Sequence, residues 1–154
     1  MNRHFLAKRG ILLPAALLTA AVVVAGETNS RSSKFPNSFD VDKGNLASVG
    51  KNPYFIPLEP GYRLVLQGDG AALTVTVTHK TKLVDGVETR VVEEREAKEG
   101  RPTEISLNYF AIDKTTNAVY YFGEDVDIYR DGKVVSHEGA WLSGVNGARF
   151  GMMM

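Results

Sequence analysis

The chain has 154 residues, 44 % of them hydrophobic and 23 % charged, and no cysteine. That length suits one packed domain, and the composition excludes wholesale disorder, collagen-like repeats and coiled-coil fibres. Lys plus Arg and Asp plus Glu both number 18, which provides no basic field for nucleic acid. Without cysteine, disulfide scaffolds, Cys-ligated zinc, iron–sulfur clusters and thiol nucleophiles are all excluded.

In chain order, the first element is an export segment. Residues 1–10 carry Arg3, Lys8 and Arg9 and no acid, and the run 11–26, ILLPAALLTAAVVVAG, is apolar. A basic head, a short greasy middle and a small-residue exit form the layout of a secretory signal peptide, with cleavage expected after Ala25 or, second, Gly26. The competing readings are a retained membrane anchor and a buried helix. The apolar run is 16 residues and holds Pro14, whereas a membrane span needs about 20. Removing residues 1–26 leaves 15 bases against 18 acids. The resulting expectation is an exported, periplasmic or extracellular protein that meets a membrane only through an uncleaved signal segment.

Residues 27–50 are rich in Ser and charge, which predicts a flexible linker, with Phe35 and Phe39 as isolated apolar groups. Residues 51–154 are expected to form the domain. It opens with NPYFIPLEPG at 52–61, where three prolines discourage helix and Tyr54, Phe55, Ile56 and Leu58 supply anchors, so an extended segment packed on the body is expected.

From Tyr62 onward the apolar period is two. Leu73, Val75 and Val77 alternate with threonines, the pattern of a half-buried strand. Strands are predicted at 62–67, 72–82, 87–96, 103–112, 118–122, 125–130 and 133–138. Asp69-Gly70, Asp85-Gly86, Glu99-Gly100 and Asp131-Gly132 supply hairpin-turn chemistry between them, and Thr116-Asn117 marks a further turn. Loops this short join antiparallel neighbours, so the fold class is all-β, an antiparallel meander forming a curved sheet or a partial barrel or sandwich. The Asp131-Gly132 hairpin would set Ile128 opposite Val135 and Val126 opposite His137. A regular register at Asp85-Gly86 would oppose Val77 to Glu94, so a bulge is expected between His79 and Val84. Phe150 and Met152–Met154 read as an apolar, unpaired end, from which a truncated, longer β-protein is expected.

Three stretches, NPYFIPLEPG at 52–61, NAVYYFGEDVDIYRDGKVVSHEGAW at 117–141 and SGVNGARFGMMM at 143–154, resemble a group of uncharacterised exported bacterial proteins, often lipoproteins. Members of that group carry an NPYFPL-x-PG opening, a W-Y-F-G-E-D segment, an x-Y-x-[DN]-G-K-V hairpin and a GSW. The resemblance spans most of 52–154 and implies a β-rich exported protein that runs on beyond this chain's end; it implies no activity. Tyr120 stands where the group often has Trp, and His137 where Thr or Ser is usual, which argues against a catalytic His137.

Chemistry-bearing residues are sparse. Beyond the export segment the only histidines are His79 and His137, with no second imidazole at ligand spacing. Asp125 and Asp127 would project from one strand face with Tyr129 beside them, a geometry for Ca²⁺ or for a glycosidase carboxylate pair. A partial calcium-loop match runs through Asp127, Asp131, Gly132 and Glu138, but Tyr129 stands where an oxygen ligand belongs. The charge run Arg90, Glu93, Glu94, Arg95, Glu96, Lys98, Glu99 reads as a salt-bridged solvent face. Gly68-Asp69-Gly70 lacks the Lys-Ser/Thr of a phosphate loop, and no cofactor is expected.

Among the aromatics, Val119 and Tyr121 share one face and Tyr120 and Phe122 the other. With Tyr129 and Trp141, Tyr120 and Phe122 are candidate ligand-binding residues; packing is the competing role for this strip. The expected function is a non-catalytic binding module for an envelope protein, a glycan or a small ligand. Its alternatives are a carrier with a cavity lined by Leu73, Val75, Ile105 and Leu107, and a hydrolase of glycans using the carboxylates around 124–127.

Overall fold

The computed structural model describes residues 41–154; the expected export segment 1–26 and residues 27–40 of the expected linker lie outside them. A 3-10 turn, Lys43–Asn45, precedes nine strands: β1 (Leu46–Ala47), β2 (Arg63–Gly68), β3 (Ala71–Val84), β4 (Val87–Lys98), β5 (Arg101–Asp113), β6 (Val119–Arg130), β7 (Lys133–Ser136), β8 (Trp141–Leu142) and β9 (Gly151–Met152). They form one antiparallel sheet of order β2-β3-β4-β5-β6-β7, with β1 also on β5 and both β8 and β9 on β6. It is a meander, and it does not close into a barrel.

The turns follow from their dipeptides. At Asp69-Gly70, Asp85-Gly86, Glu99-Gly100 and Asp131-Gly132 the first residue has φ of 49–51° and the glycine 74–78°. Two consecutive positive φ values are what a right-twisted hairpin demands of its central pair. Each turn therefore fixes the pair flanking it: Gly68 with Ala71, Val84 with Val87, Lys98 with Arg101 and Arg130 with Lys133.

Register departs from regularity in four places. Extra residues between Val77 and Thr81 bring Val77 opposite Val92, so the bulge expected between His79 and Val84 begins slightly earlier. Thr103 is an extra residue in β5, beside Pro102, which lacks a ladder donor. The expected strands 118–122 and 125–130 are one strand, β6, interrupted by an irregularity opposite Asn108 to Phe110. In the last hairpin Ile128 pairs with Ser136 and Tyr129 with Val134, which leaves Val135 as the bulged residue. The expected pairing of Ile128 with Val135 is thus corrected by one position.

Apolar groups line both faces of the sheet. On the first face Val84, Val87, Val91, Tyr109, Ala111, Tyr120 and Phe122 are buried, with Leu46, Leu142 and Phe150 against them. On the second face Val75, Val77, Val92, Phe110, Ile112 and Val119 are buried, covered by Phe55, Ile56, Leu58 and Tyr62. The proline-rich segment 52–61 does pack on the body: Leu58 is fully buried, and Phe55 meets Phe110 edge-on at 5.1 Å.

Two terminal arms cover the first face. Residues 41–50, expected as part of the linker, belong to this body: Leu46 and Ser48 are buried, and Leu46 pairs with Asp113. The C-terminal residues, expected as unpaired, are engaged as well. Phe150 stacks on Phe122 at 4.6 Å, and Met152 pairs with Tyr120. Asp85 ties the arms together at the β3–β4 turn, receiving Lys43 Nζ at 2.8 Å and the Ser143 hydroxyl at 2.8 Å. Those two bonds, that of Lys43 foremost, hold the Asp85 carboxyl below its usual range.

Arg90, expected on a solvent face, is 5 % exposed. Its guanidinium donates to the carbonyls of Ser48 (2.9 Å), Thr78 (3.3 Å) and Lys80 (3.2 Å). A bulge turns carbonyls away from their ladder partners; here one planar fork satisfies two of them and also fastens the N-terminal arm. Arg90→Ala is expected to lower stability by about 3 kcal/mol, the cost of leaving several buried carbonyls without donors. Arg90→Lys should recover less than half, since a point-charge ammonium cannot reach three acceptors. Urea denaturation measures both, and a loss near zero for Arg90→Ala would show that the bulge is satisfied without the guanidinium.

Candidate functional site

Gly123 determines what faces what. Its φ is 128°, and a Cβ there would lie 2.2 Å from the Trp141 carbonyl oxygen. Only glycine permits this conformation with β8 so close. Beyond the irregularity the strand changes phase. Tyr120 and Phe122 before it, and Asp125, Asp127 and Tyr129 after it, consequently lie on the same face as Tyr109 and Leu107.

On that face β4, β5, β6 and the segment after β7 enclose an open cleft of about 550 Å³. Ile105 and Leu107 form its apolar floor. Glu93 and Arg95 stand on one side; Asp125, Asp127 and Tyr129 stand on the other, with His137 and Ala140 above. A smaller hollow of about 310 Å³, lined by Trp141, Leu142 and Val145, adjoins it and shares Asp125 and Ala140.

Each carboxylate around the cleft has a donor. Asp125 accepts a hydrogen bond from the Tyr109 hydroxyl and is 2.9 Å from Lys82 Nζ, which also lies 4.3 Å from the Tyr109 ring centroid. Asp127 Oδ1 lies 2.9 Å from His137 Nδ1, which also approaches the Val126 carbonyl at 2.9 Å. Glu93 is gripped by Arg95 through two bonds of 2.6 and 3.1 Å. Partial burial disfavours the charged form of Asp125, but the Tyr109 and Lys82 bonds outweigh it and lower its pKa. Burial, then the hydrogen bond to Asp125, raises the Tyr109 phenol. Desolvation pulls Lys82 down, and the bonds to Asp125 and Tyr109 more than reverse that, leaving it raised.

The opposite face carries the carboxyls whose pKa values are raised. Glu94 and Glu104 are pushed up first by burial, then by the other acids around them, Glu96 and Glu124. Nearby, the Tyr121 hydroxyl donates to Asn108 Oδ1 at 2.7 Å, and its ring stacks on Phe110 at 4.9 Å. Burial foremost drives its phenol far above the usual value.

Of the four aromatic candidates, Tyr129 lines the cleft and Trp141 the adjoining hollow. Tyr120 and Phe122 are 5 % and 0 % exposed and pack on Phe150, so these two are core and no exposed aromatic strip exists on β6 at that point. Asp125 and Asp127 do project together, but each is held by its own donor. Among the described residues, no group of three His, Asp or Glu side chains is placed to hold a metal ion. Asp131 and Gly132 of the partial calcium loop form the β6–β7 turn. His79 is exposed within the β3 bulge. Leu73 pairs with Glu96, and Glu96 with Glu104, on the face opposite Ile105 and Leu107, so the expected four-residue apolar cavity is split between two sides of the sheet.

Lys82 is the member of the site that the sequence reading did not single out, while Glu93 and Arg95 stood in the charge run read as a salt-bridged solvent face. Alternation along β5 does carry a signal, since Ile105, Leu107 and Tyr109 fall on one side. Among the described residues no helix is long and apolar enough to cross a membrane. Compared with known proteins, the chain matches no family model, no curated protein and no solved structure.

Because the Asp125 pKa is lowered on folding, its stabilisation is present above the unfolded value of about 4 and is lost as pH falls through the folded value. The Lys82 contribution has the opposite sense. It is complete below about pH 10.4 and disappears as pH rises through its raised folded value. The side chains of Lys82 and Asp125 are 35 % and 54 % exposed, so solvent screening keeps the pair below about 1 kcal/mol. Asp125→Asn should therefore be slightly less stable than wild type at pH 7 and indistinguishable from it near pH 2, as read from urea midpoints at the two pH values.

Proposed function

We propose that the chain is an exported, non-catalytic binding module whose ligand site is the cleft over Ile105 and Leu107. The ligand it suits is small, with an apolar face for that floor and a hydrogen-bonding rim for the paired charges, and a glycan unit has that chemistry. The observation that carries this reading is the pairing of every carboxylate at the cleft. Asp125, Asp127 and Glu93 each answer to a neighbouring donor. A glycoside hydrolase needs one carboxyl held protonated near neutral pH beside an ionised one; here the lowered Asp125 stands on the cleft and the raised glutamates stand on the far face. The basic, then apolar, opening of the sequence supports export.

The test is native mass spectrometry of the protein purified from its own cell envelope, followed by calorimetric titration of whatever ligand is retained. Tyr129→Ala should weaken binding about tenfold, the worth of one aromatic contact of about 1.4 kcal/mol, with the ligand recovered unchanged. Ile105→Asp, which places a charge in the floor, should abolish binding. Turnover of a glycan that Asp125→Asn abolishes would replace this reading with the hydrolase, and retention unaffected by either floor or rim variant would move the site elsewhere.

A further inference from the structure

The two lateral edges of the sheet are built differently. At one end β7 is four residues long, begins with Lys133 and is bulged at Val135, three devices that discourage another strand from adding. The long edge of β6 is covered in turn by β7, β8 and β9. At the other end β2, Arg63–Gly68, pairs with β3 alone among the described residues. It is regular over six pairs, holds no proline or lysine, and exposes Val65 (47 %) and Leu66 (52 %).

The phase of its free hydrogen-bonding groups can be derived. Gly61 N–H donates to the Val77 carbonyl and Val77 N–H to the Tyr62 carbonyl, at 2.8 and 2.9 Å. Alternation along an antiparallel ladder then turns the groups of Leu64, Leu66 and Gly68 toward β3 and those of Arg63, Val65 and Gln67 outward. The two-residue turn agrees, since it places Gly68 and Ala71 as the closing pair.

We propose that this edge is a self-association surface, on which β2 of a second copy of the chain pairs antiparallel about a two-fold axis through Val65. That register uses all three outward positions: Val65 opposite Val65, and Arg63 opposite Gln67 on both sides of the axis, for about six ladder hydrogen bonds. Its side chains are self-complementary. On one face the two exposed Val65 side chains meet; on the other, Leu64 of each copy meets Leu66 of its mate. The only charge in the strand, Arg63, faces a neutral amide, so no like charges are opposed. Shifting the strands by two residues either way wastes an outward position. The apolar groups that leave this edge exposed are thus the ones that pairing in this single register covers.

The absence of cysteine allows a direct test on the whole exported protein. Opposed residues of a hydrogen-bonded pair have Cα atoms about 5.5 Å apart, inside the disulfide range. Val65→Cys should therefore oxidise to a covalent dimer, while Leu83→Cys, still more exposed but on another strand, should not. In sedimentation velocity the wild type should show a concentration-dependent dimer. Val65→Pro removes only an outward N–H and should raise the dissociation constant about tenfold or more, and Val65→Lys should leave a monomer. Circular dichroism of each variant checks that the sheet persists, and the cysteine variant reads proximity even where a variant is destabilised. A wild type that stays monomeric at high micromolar concentration, a dimer insensitive to both Val65→Pro and Val65→Lys, or equal cross-linking through Leu83→Cys would each overturn the proposal.

Discussion

A single sheet with apolar side chains on both sides has to be covered twice, and most of this structure follows from that constraint. Tyr109 and Phe110 are adjacent, so they necessarily point to opposite sides, and both are buried. No second sheet and no helix covers either side among the described residues. The cover comes from chain with almost no regular structure: the proline-rich segment over Phe110 and Ile112, and the two terminal arms over Tyr109, Tyr120 and Phe122. Such segments carry few ladder bonds of their own and must be fastened by side chains. Arg90 fastens the N-terminal arm to the β3 bulge, and Asp85 joins Lys43 of that arm to Ser143 of the other. Both anchors sit near the β3–β4 turn, so packing on the first face and the conformation of that turn depend on each other.

The irregularities of the strands assign residues to faces. The bulge between Val77 and Thr81 lets Val75 and Val77 serve the second face while Lys82 and Val84 serve the first. Gly123 does the same for β6, carrying Tyr120 and Phe122 into the core and Asp125, Asp127 and Tyr129 into the cleft on one side of the sheet. The Asp85-Gly86 turn sets Lys82 opposite Thr89, and the phase change at Gly123 brings Asp125 to the same side, so both reach the Tyr109 phenol.

This also explains what could be read from the sequence. The four turn dipeptides and the period-two threonine pattern are local signals, and from them the meander and its strand order follow. The need for a bulge in β3 was legible because an uncorrected register opposed Val77 to Glu94. No comparable conflict marks Gly123, whose glycine reads as a strand end until the approach of the Trp141 carbonyl is known. Arg90 sits in a run of surface charges and is distinguished only by carbonyls from residues 48, 78 and 80, which no local pattern brings together. Tyr120 and Phe122 could be assigned a shared face but not a fate, because their burial depends on Phe150, 28 positions beyond Phe122.

The electrostatics of the two faces then differ for a structural reason rather than a compositional one. On the cleft side acids alternate with donors across strands: Glu93 beside Arg95, Asp125 reached by Lys82, Asp127 by His137. Across the same strands on the far side, Glu94, Glu96, Glu104 and Glu124 gather, and burial first, then repulsion from the neighbouring acids, raises Glu94 and Glu104. The cleft side thus sets each acid against a donor, while the far side holds its charge at a cost that grows as the acids ionise. On the binding reading proposed above, a neutral ligand would be selected by contact with Ile105, Leu107 and Tyr129 and by the orientation of the paired groups, not by long-range attraction.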